Sequence, residues 1–183
     1  PGIQGEERKL ILELKLLADV GLVVFPNAGK STFLSVVSEA KPKIANYPFT
    51  TLIPQLGIVR HREKNFVLAD LPGIIEGAAE GRGLGLRFLK HIERNKTLLL
   101  LIDAQEEQPF LVFQALREEI KKYHETVFEK PFIVAISKVE TIDEEKKSEI
   151  LKTFQQHNIP IFFISSQQQI GITTLLDKAI SML

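Results

Sequence analysis

Cysteine is absent from the 183 residues of this chain, which excludes disulfide scaffolds and thiolate-bound metal sites and agrees with a reducing compartment. An excess of either charge is also absent, because Lys plus Arg and Asp plus Glu number 23 each. No overall field therefore points to nucleic acid or to an anionic membrane as a partner. No apolar run approaches the roughly 20 residues needed to cross a bilayer. We therefore expect a cytoplasmic protein without a membrane span.

What is present is the composition of one ordinary globular domain, with 44% hydrophobic and 25% charged residues and a length that suits a single full-sized core. The chain begins with Pro1 rather than methionine, so we expect it to be a piece of a longer protein. Short apolar runs alternate along it with stretches of helical spacing. This alternation predicts an α/β fold, in which a mostly parallel sheet is covered by helices on both faces. In such folds, ligands bind beyond the carboxyl ends of the strands.

The predicted elements follow from apolar spacing and from the turn residues between them. Strands are predicted at residues 10–17, 19–25, 55–61, 65–70, 97–103, 131–136 and 160–165. Helices are predicted at residues 29–38, 86–94, 109–124, 144–157 and 172–183. Two stretches lack periodicity and are predicted to be loops: residues 39–54, which contain three prolines, and residues 71–85, which contain five glycines.

A phosphate-binding turn is predicted between the strand at 19–25 and the helix that follows it. Residues 22–31 read Leu-Val-Val-Phe-Pro-Asn-Ala-Gly-Lys-Ser, so an apolar strand ends in a turn and Gly-Lys-Ser opens a helix. Backbone N–H groups and the positive end of the helix dipole bind anionic oxygens there, while the lysine reaches the outer phosphates and the hydroxyl coordinates Mg²⁺. The full pattern Gly-x-x-x-x-Gly-Lys-[Ser/Thr] would begin at position 24, which is Val24. A β-branched residue fits there if the backbone is extended, and it distorts the turn if a positive φ is required.

Two further segments carry groups that suit Mg²⁺ and a terminal phosphate. Asp70-Leu71-Pro72-Gly73 begins at the end of a predicted buried strand. Its aspartate can hold Mg²⁺ through water, and the glycine N–H can approach a phosphate because no side chain obstructs it. In the loop at 39–54, a threonine of Tyr47-Pro48-Phe49-Thr50-Thr51 can place its hydroxyl on Mg²⁺. Each segment read alone is an ordinary turn or polar loop, and only the position beside the strands favours a site.

The last two predicted strands also end in polar segments. Ser137-Lys138-Val139-Glu140 follows the strand at 131–136, and Ile164-Ser165-Ser166-Gln167 ends the strand at 160–165. Both segments lie on the expected ligand edge of the sheet. Recognition of a nucleotide base is therefore their predicted role, although neither string is informative by itself.

Taken in this order, the segments resemble the G domain of the Obg family, within the translation-factor-like GTPases. The resemblance rests on Asn-Ala-Gly-Lys-Ser-Thr at 27–32, Ala-Asn-Tyr-Pro-Phe-Thr-Thr-Leu at 45–52, Asp-Leu-Pro-Gly-Ile-Ile-Glu-Gly-Ala at 70–78 and Gly-Arg-Gly-Leu-Gly at 81–85. It implies a three-layer P-loop NTPase fold for residues 19–183. Residues 1–18 would then be the end of a preceding Obg-type N-terminal domain with its linker.

The resemblance also assigns the nucleotide-binding residues, position by position. They are Val24, Phe25, Pro26, Asn27, Ala28, Gly29, Lys30, Ser31 and Thr32 in the phosphate turn, Phe49, Thr50, Thr51, Leu52 and Ile53 in a first switch, Asp70, Leu71, Pro72 and Gly73 in a second switch, and Ser137, Lys138, Val139, Glu140, Ser165, Ser166 and Gln167 at the base. The implied Mg²⁺ ligands are Ser31, Thr51 and Asp70. Asn27 stands where related GTPases bind K⁺, an ion that would supply positive charge in place of an arginine finger.

One residue of the second switch and one departure from the family's base motif bear on the chemistry. The residue after Gly73 is Ile74, whose apolar side chain cannot orient an attacking water, so slow GTP hydrolysis and catalytic help from elsewhere are expected. The family's base motif Asn-Lys-x-Asp begins here with Ser137, which is expected to be too short to bridge the base and the phosphate turn. Its last residue is Glu140, which keeps the carboxylate but adds a methylene, so weakened guanine affinity and selectivity are expected.

Three functions remain open from the sequence. The first is a guanine-nucleotide-binding switch domain with slow GTP hydrolysis, which the resemblance links to assembly of the large ribosomal subunit. Its partners would be GTP, GDP and, through the full-length protein, that subunit, with the chain itself a monomer. The second is an ATP-preferring enzyme, because the Obg-like ATPases also carry glutamate at the position of Glu140. The third is a structural domain in which nucleotide binding is impaired.

Overall fold

The computed structural model describes residues 18–38, 43–44, 55–70 and 95–183. The predicted strand at 10–17, the predicted helix at 86–94, the glycine-rich loop at 71–85 and most of the loop at 39–54 lie outside these residues. The strands are β1 (Val20–Val24), β2 (Lys43–Ile44), β3 (Gln55–His61), β4 (Lys64–Asp70), β5 (Thr97–Asp103), β6 (Phe132–Ser137) and β7 (Ile161–Phe163). The helices are α1 (Lys30–Val37), α2 (Pro109–Tyr123), α3 (Glu125–Phe128), α4 (Glu144–Gln156) and α5 (Ile172–Ser181), with a 3₁₀ turn at Val139–Thr141.

The described strands form one sheet in the order β2-β3-β4-β1-β5-β6-β7. β1 is parallel to β4 and β5, and β6 is parallel to β5 and β7. Among the described strands, only the β2–β3 and β3–β4 pairs are antiparallel. The predicted mostly parallel α/β fold is therefore confirmed. Because the five parallel strands run the same way, the chain leaves all of them at one edge of the sheet, here called the carboxyl edge.

The sheet is buried on both faces, and β5 shows how the sequence achieves this. Successive side chains of a strand point to opposite faces. Leu98, Leu100 and Ile102 belong to one apolar cluster, and Leu99 and Leu101 belong to the other. A continuous apolar run is thus needed wherever both faces are covered. This is why the run at 97–103 predicted a fully buried strand correctly.

Helices supply the second side of each cluster. α1 and α5 pack their buried side chains, such as Phe33 and Leu175, on one face of the sheet. α2 and α4 pack theirs, such as Leu116 and Phe154, on the other face. The three-layer arrangement implied by the sequence is therefore present. None of the described helices is long and apolar enough to cross a membrane.

Two predicted boundaries were wrong. Residues 39–54 were predicted to be loop throughout, but Lys43–Ile44 forms the edge strand β2, paired antiparallel with Leu56 and Gln55. Two residues are too few to show periodicity, and they pair because the edge of a sheet offers unpaired backbone groups. The strand predicted at 160–165 ends at Phe163, because Ser165 turns back and pairs with Ile170 in an isolated bridge.

Candidate phosphate-binding site

The phosphate turn joins β1 to α1 at the carboxyl edge. Val24 is the last residue of β1 and pairs with Leu101 of β5, so its backbone is extended. The left-handed residues of the turn are Asn27, with φ 69°, and Gly29, with φ 86°. Asn is one of the few side chains that accept this conformation, and glycine accepts it without cost. The extended backbone at position 24 explains how Val24 is accepted in place of glycine.

The first turn of α1 is open to an anion. Its cap residue Gly29 has no side chain to bond the helix N–H groups, and no acidic residue lies in the first turn. The first intrahelical bond runs from the N–H of Phe33 to the carbonyl of Gly29, so the N–H groups of Lys30, Ser31 and Thr32 have no acceptor within the helix. These groups and the helix dipole attract negative charge.

A cavity of about 240 Å³ lies over this turn, lined by Val24, Phe25, Pro26, Asn27, Gly29, Lys30, Ser31 and Thr32. Eight of the nine predicted residues of the phosphate turn thus face one space. The exception is Ala28, which is 4% exposed and belongs to the buried side of the turn.

Lys30 and Asp70 meet at the mouth of the turn. Nζ of Lys30 lies 2.8 Å from Oδ2 of Asp70, which is the last residue of β4 and almost fully buried. The adjacent parallel strands β1 and β4 bring these two residues together although they are distant in the chain. The arrangement places a cation and a carboxylate beside the free N–H groups of α1.

The end of β6 holds the phosphate turn from the other side. The hydroxyl of Ser137 donates to the carbonyl oxygen of Ala28 at 2.9 Å, and the same Oγ lies 3.1 Å from the carbonyl oxygen of Ile102 as a second acceptor. Ser137 therefore reaches the phosphate turn, because the two backbones approach closely enough for a short hydroxyl. That it is too short to bridge the base and the turn together stays a prediction. Ser137 is 3% exposed, so this contact is buried.

Comparison with known proteins agrees with this geometry. The family described as 50S ribosome-binding GTPase matches residues 19–138. GTPase Obg of Flavobacterium psychrophilum is 52% identical over 186 residues, which cover 100% of this chain and 56% of that protein. GTPase Obg of Amoebophilus asiaticus is 56% identical over 180 residues, which cover 97% of this chain and 54% of that protein.

The chain belongs to the Obg family of GTPases. It spans about half the length of these two Obg relatives. Among solved structures, the G domain of the T. maritima FeoB iron transporter matches with a TM-score of 0.63 and 21% sequence identity, over 91% of this chain and 99% of that one. At that identity the match shows the fold alone, and the fold of this Obg chain is that of a G domain.

The predicted base-recognition residues lie at the end of β6 and after β6 and β7. Lys138 has a left-handed backbone with φ 57° and donates from Nζ to Oδ2 of Asp103 at 2.6 Å. Val139 and Glu140 lie in the 3₁₀ turn, where Oε2 of Glu140 is buried and has no hydrogen-bond partner among the described residues. A buried carboxylate oxygen without a donor is costly. A ligand that brings N–H groups reaches this oxygen only if the side chain turns out of its covered position.

The segment after β7 divides into a buried and an exposed part. Ser165 is fully buried, and its Oγ accepts the N–H of Gln168 at 3.0 Å, so this hydroxyl holds the loop and is not open to a ligand. Ser166 is half-buried and Gln167 is exposed. Of the three residues, the latter two are the ones with surface available for a base.

Several predicted site residues of this Obg chain lie outside the described residues. They are Phe49, Thr50, Thr51, Leu52, Ile53, Leu71, Pro72, Gly73 and Ile74. Their roles stay predictions from the sequence.

The described donors suit Mg²⁺ of the kind that P-loop proteins bind. Ser31 offers an exposed hydroxyl and Asp70 a carboxylate oxygen, both at the carboxyl edge. Within the described residues there is no group of three or more His, Cys, Asp or Glu that could hold a metal by themselves. Mg²⁺ with nucleotides does not require one, because waters and phosphates complete its shell of oxygens.

Asp103 is a residue at the carboxyl edge that reasoning from the sequence missed. It ends β5 at the carboxyl edge, is 9% exposed, and pairs with Lys138. The signal was present, because a carboxylate terminates an apolar strand there as Asp70 does at the end of β4. Its partner could not be named without the alignment of β5 and β6, which sets Asp103 opposite Ser137.

Replacing Ser137 with alanine tests the link between β6 and the phosphate turn. Loss of one buried hydrogen bond is expected to lower the free energy of unfolding by about 1 kcal/mol. The turn then loses one restraint, so we expect GDP to bind roughly threefold more weakly. Urea unfolding and calorimetric titration with Mg²⁺ and GDP measure the two effects.

Thr97→Val is the matched control for that variant. Oγ1 of Thr97 also donates to a backbone carbonyl, that of Pro131, at 2.9 Å, but it lies at the start of β5, away from the carboxyl edge. The control is expected to lower stability by a similar amount and to leave GDP affinity unchanged. Equal effects of both variants on GDP affinity would contradict a specific role for Ser137.

Proposed function

We propose that this chain is a Mg²⁺-dependent guanine-nucleotide switch domain that hydrolyses GTP slowly to GDP and phosphate. The observation that carries the proposal is the open N-terminus of α1 with Lys30 and Asp70 paired at 2.8 Å beside it. Free N–H groups, a lysine and a carboxylate are the parts that a P-loop needs for a polyphosphate and its metal. The membership of the Obg family and the cavity over residues 24–32 support it.

In the proposed complex, the N–H groups of residues 29–32 bind the oxygens of the inner phosphates. The ammonium group of Lys30 turns from Asp70 to the outer phosphates. The metal would be held by the hydroxyls of Ser31 and Thr51 and by the carboxylate of Asp70. Bound Mg²⁺ would neutralise part of the negative charge of the phosphates. Residues 49–53 and 70–73 are the proposed switches, which order around the γ-phosphate and signal its loss.

Hydrolysis is proposed to be slow because Ile74 follows Gly73 in the sequence. An apolar side chain cannot position the attacking water, so positioning must come from another group. A K⁺ ion near Asn27 is the proposed source of additional positive charge. Asn27 is exposed at the rim of the cavity, with a left-handed backbone that turns the chain around the site.

Guanine recognition is proposed for Glu140. Glu140 keeps a carboxylate at the position of the motif's aspartate, which accepts the two N–H donors on one edge of guanine. Its Oε2 is covered and has no partner among the described residues, so the side chain would turn toward the base. The Lys138 stem lies against the phosphate turn, since a Cβ built on Gly29 would lie 3.9 Å from its Cε, and it forms the proposed platform under the base. Ser166 and Gln167 are the proposed contacts on the far side of the base.

An ATP-preferring enzyme is the second proposed function, because one observation favours it. Glu140 is one methylene longer than the aspartate of the family motif, and the Obg-like ATPases carry the same residue there. A longer carboxylate changes the distance to the base edge, and such a site discriminates strongly only when its partners align.

The wider setting is proposed from the family. The matching family is that of the 50S ribosome-binding GTPases, and we propose that the full-length protein acts in assembly of the large ribosomal subunit in the cytoplasm. Residues 19–183 are the proposed G domain, and residues 1–18 the proposed end of an N-terminal domain and its linker. The G domain is proposed to be a monomer.

Competition between purine nucleotides tests the proposed function. Fluorescent GDP bound in the presence of Mg²⁺ is displaced by unlabelled GDP or ADP, and phosphate release from GTP and ATP is followed in parallel, with and without K⁺. Tighter binding of GDP and slow, Mg²⁺-dependent release from GTP are the expected results. Preference for ADP would replace the proposal by the ATPase, and binding of neither would leave a structural domain.

Glu140→Gln is expected to weaken GDP binding roughly tenfold, because an amide offers one acceptor where the carboxylate offers two. ADP affinity is expected to stay unchanged or to rise. Glu144→Gln is the matched control, since Glu144 opens α4 nearby and its side chain is 89% exposed. An equal loss of GDP and ADP affinity in Glu140→Gln would mean that this carboxylate does not read the base.

A further inference from the structure

Asp103 makes two contacts that fix its carboxylate at the carboxyl edge. Oδ1 accepts the N–H of Gln105 at 2.9 Å, and Oδ2 lies 2.6 Å from Nζ of Lys138. The side chain of Asp103 is 11% exposed and that of Lys138 is 32% exposed. An ion pair removed this far from water has a better defined geometry than a surface pair, and it is less screened by salt.

Lys138 has an unusual backbone conformation in addition to this pair. Its backbone is left-handed, with φ 57° and ψ 36°, a conformation that costs energy for a side chain other than glycine, asparagine or aspartate. The turn also brings Cε of Lys138 to 3.9 Å from where a Cβ on Gly29 would lie. The lysine stem therefore lies across the phosphate turn, with its ammonium group anchored at the end of β5.

The backbone reinforces the same junction. The N–H of Ala104, next to Asp103, donates to the carbonyl of Ser137, next to Lys138, at 2.9 Å. The hydroxyl of Ser137 in turn reaches Ala28 in the phosphate turn. The ends of β5 and β6 and the phosphate turn thus form one connected unit.

We propose that Asp103 is a positioning residue for nucleotide recognition, which fixes the Lys138 stem over Gly29 as a ready-made platform for the base. The inference rests on the proposed function and deepens it. A lysine side chain loses much rotamer freedom when a ligand orders it. In this chain Asp103 has ordered Lys138 beforehand, so the nucleotide binds without that cost.

A second aspartate–lysine pair, at the amino ends of the parallel strands, serves as a control. Oδ2 of Asp19 accepts the N–H of Val67 at 3.0 Å, and Oδ1 lies 3.3 Å from Nζ of Lys96. Like Asp103, this carboxylate combines one backbone N–H with one lysine. It precedes β1 and is therefore far along the strands from the phosphate turn.

Asp103→Asn keeps the shape and the acceptor for Gln105 but removes the charge that holds Lys138. We expect GDP affinity, measured by calorimetric titration with Mg²⁺, to fall roughly three- to tenfold. Binding of Mg²⁺-tripolyphosphate, which has no base, is expected to stay unchanged. Asp19→Asn is expected to change neither affinity. A loss of fold in Asp103→Asn alone would be recognised by its melting temperature.

Lys138→Met tests the pair from the other side, because it keeps the stem and removes the ammonium group. If Asp103 acts through Lys138, adding Asp103→Asn to Lys138→Met produces no further loss of GDP affinity. Three results would each overturn the inference. The first is unchanged GDP affinity in Asp103→Asn, and the second is an equal loss of tripolyphosphate affinity in that variant. The third is a double variant whose loss of GDP affinity is the full sum of the two single losses. Failure of the unaltered chain to bind either ligand would instead overturn the proposed function.

Discussion

Lys30→Ala is expected to weaken binding of GDP with Mg²⁺ by at least about 100-fold, because it removes the cation that is paired with the outer phosphates in the proposed complex. In the structure, Nζ of Lys30 lies at the mouth of the phosphate turn, 2.8 Å from Oδ2 of Asp70. Removing it leaves a carboxylate that repels phosphate beside the N–H groups of α1. Calorimetric titration measures the loss of affinity.

Lys96→Ala is the control for this loss. Lys96 is also paired with an aspartate, Asp19, at 3.3 Å, but it lies before β5, at the edge of the sheet away from the phosphate turn. Both variants remove one positive charge from a chain with no net charge, so a general electrostatic effect would weaken GDP binding in both. GDP affinity in Lys30→Ala within about threefold of that in Lys96→Ala would contradict the placement of the phosphates.

Phe154→Ala is expected to lower the free energy of unfolding by about 3–5 kcal/mol. Phe154 is fully buried in α4, and its ring centroid lies 5.3 Å from that of Phe110 and 5.7 Å from that of Phe113, both of α2. Truncation removes these edge-to-face contacts and leaves a cavity between the two helices and the sheet. Urea unfolding in the absence of nucleotide measures the effect, since a bound ligand would add its own stabilisation.

Leu151→Ala on the same helix is the control for the core. Leu151 is 38% exposed, so its truncation is expected to cost less than about 1 kcal/mol. If Phe154→Ala were no more destabilising than Leu151→Ala, the packing of α4 on α2 would not be a main source of stability.

The sequence predicted the architecture well where a residue pattern is local. The apolar run at 97–103 gave the bounds of β5 correctly, since a strand buried on both faces needs an uninterrupted run. The turn residues between 25 and 30 predicted the start of α1 to within one residue. Both results depend only on neighbours along the chain.

Features that depend on distant neighbours were predicted less well. β2 forms because Leu56 and Gln55 offer backbone hydrogen-bonding groups at the open edge of the sheet. The two residues Lys43–Ile44 carry no sequence pattern that predicts a strand. The contact between Ser137 and Ala28 depends on how closely two strands bring their ends together. The sequence shows the length of the Ser137 side chain but not the distance between the backbones at Ser137 and Ala28.

The site shows the same division. Residues 24–32 were recognised as a unit, and eight of them line one cavity, because a phosphate turn is a continuous segment. Asp103 was overlooked because its role depends on the ion pair with Lys138. That lysine lies 35 positions away in the chain, and the pairing of β5 with β6 brings the two residues together. Whether Val24 can replace glycine depends on the backbone conformation at that position, which the residue type does not determine.

Two-dimensional NMR of the backbone amides tests the central claim most directly. If a polyphosphate binds the N-terminus of α1, saturating GDP with Mg²⁺ shifts the amide resonances of residues 29–32 strongly, while those of α3 (Glu125–Phe128), on a different part of the molecule, stay in place. Resonances of residues 29–32 that do not move while the nucleotide is bound, or that move no more than those of α3, would contradict the account.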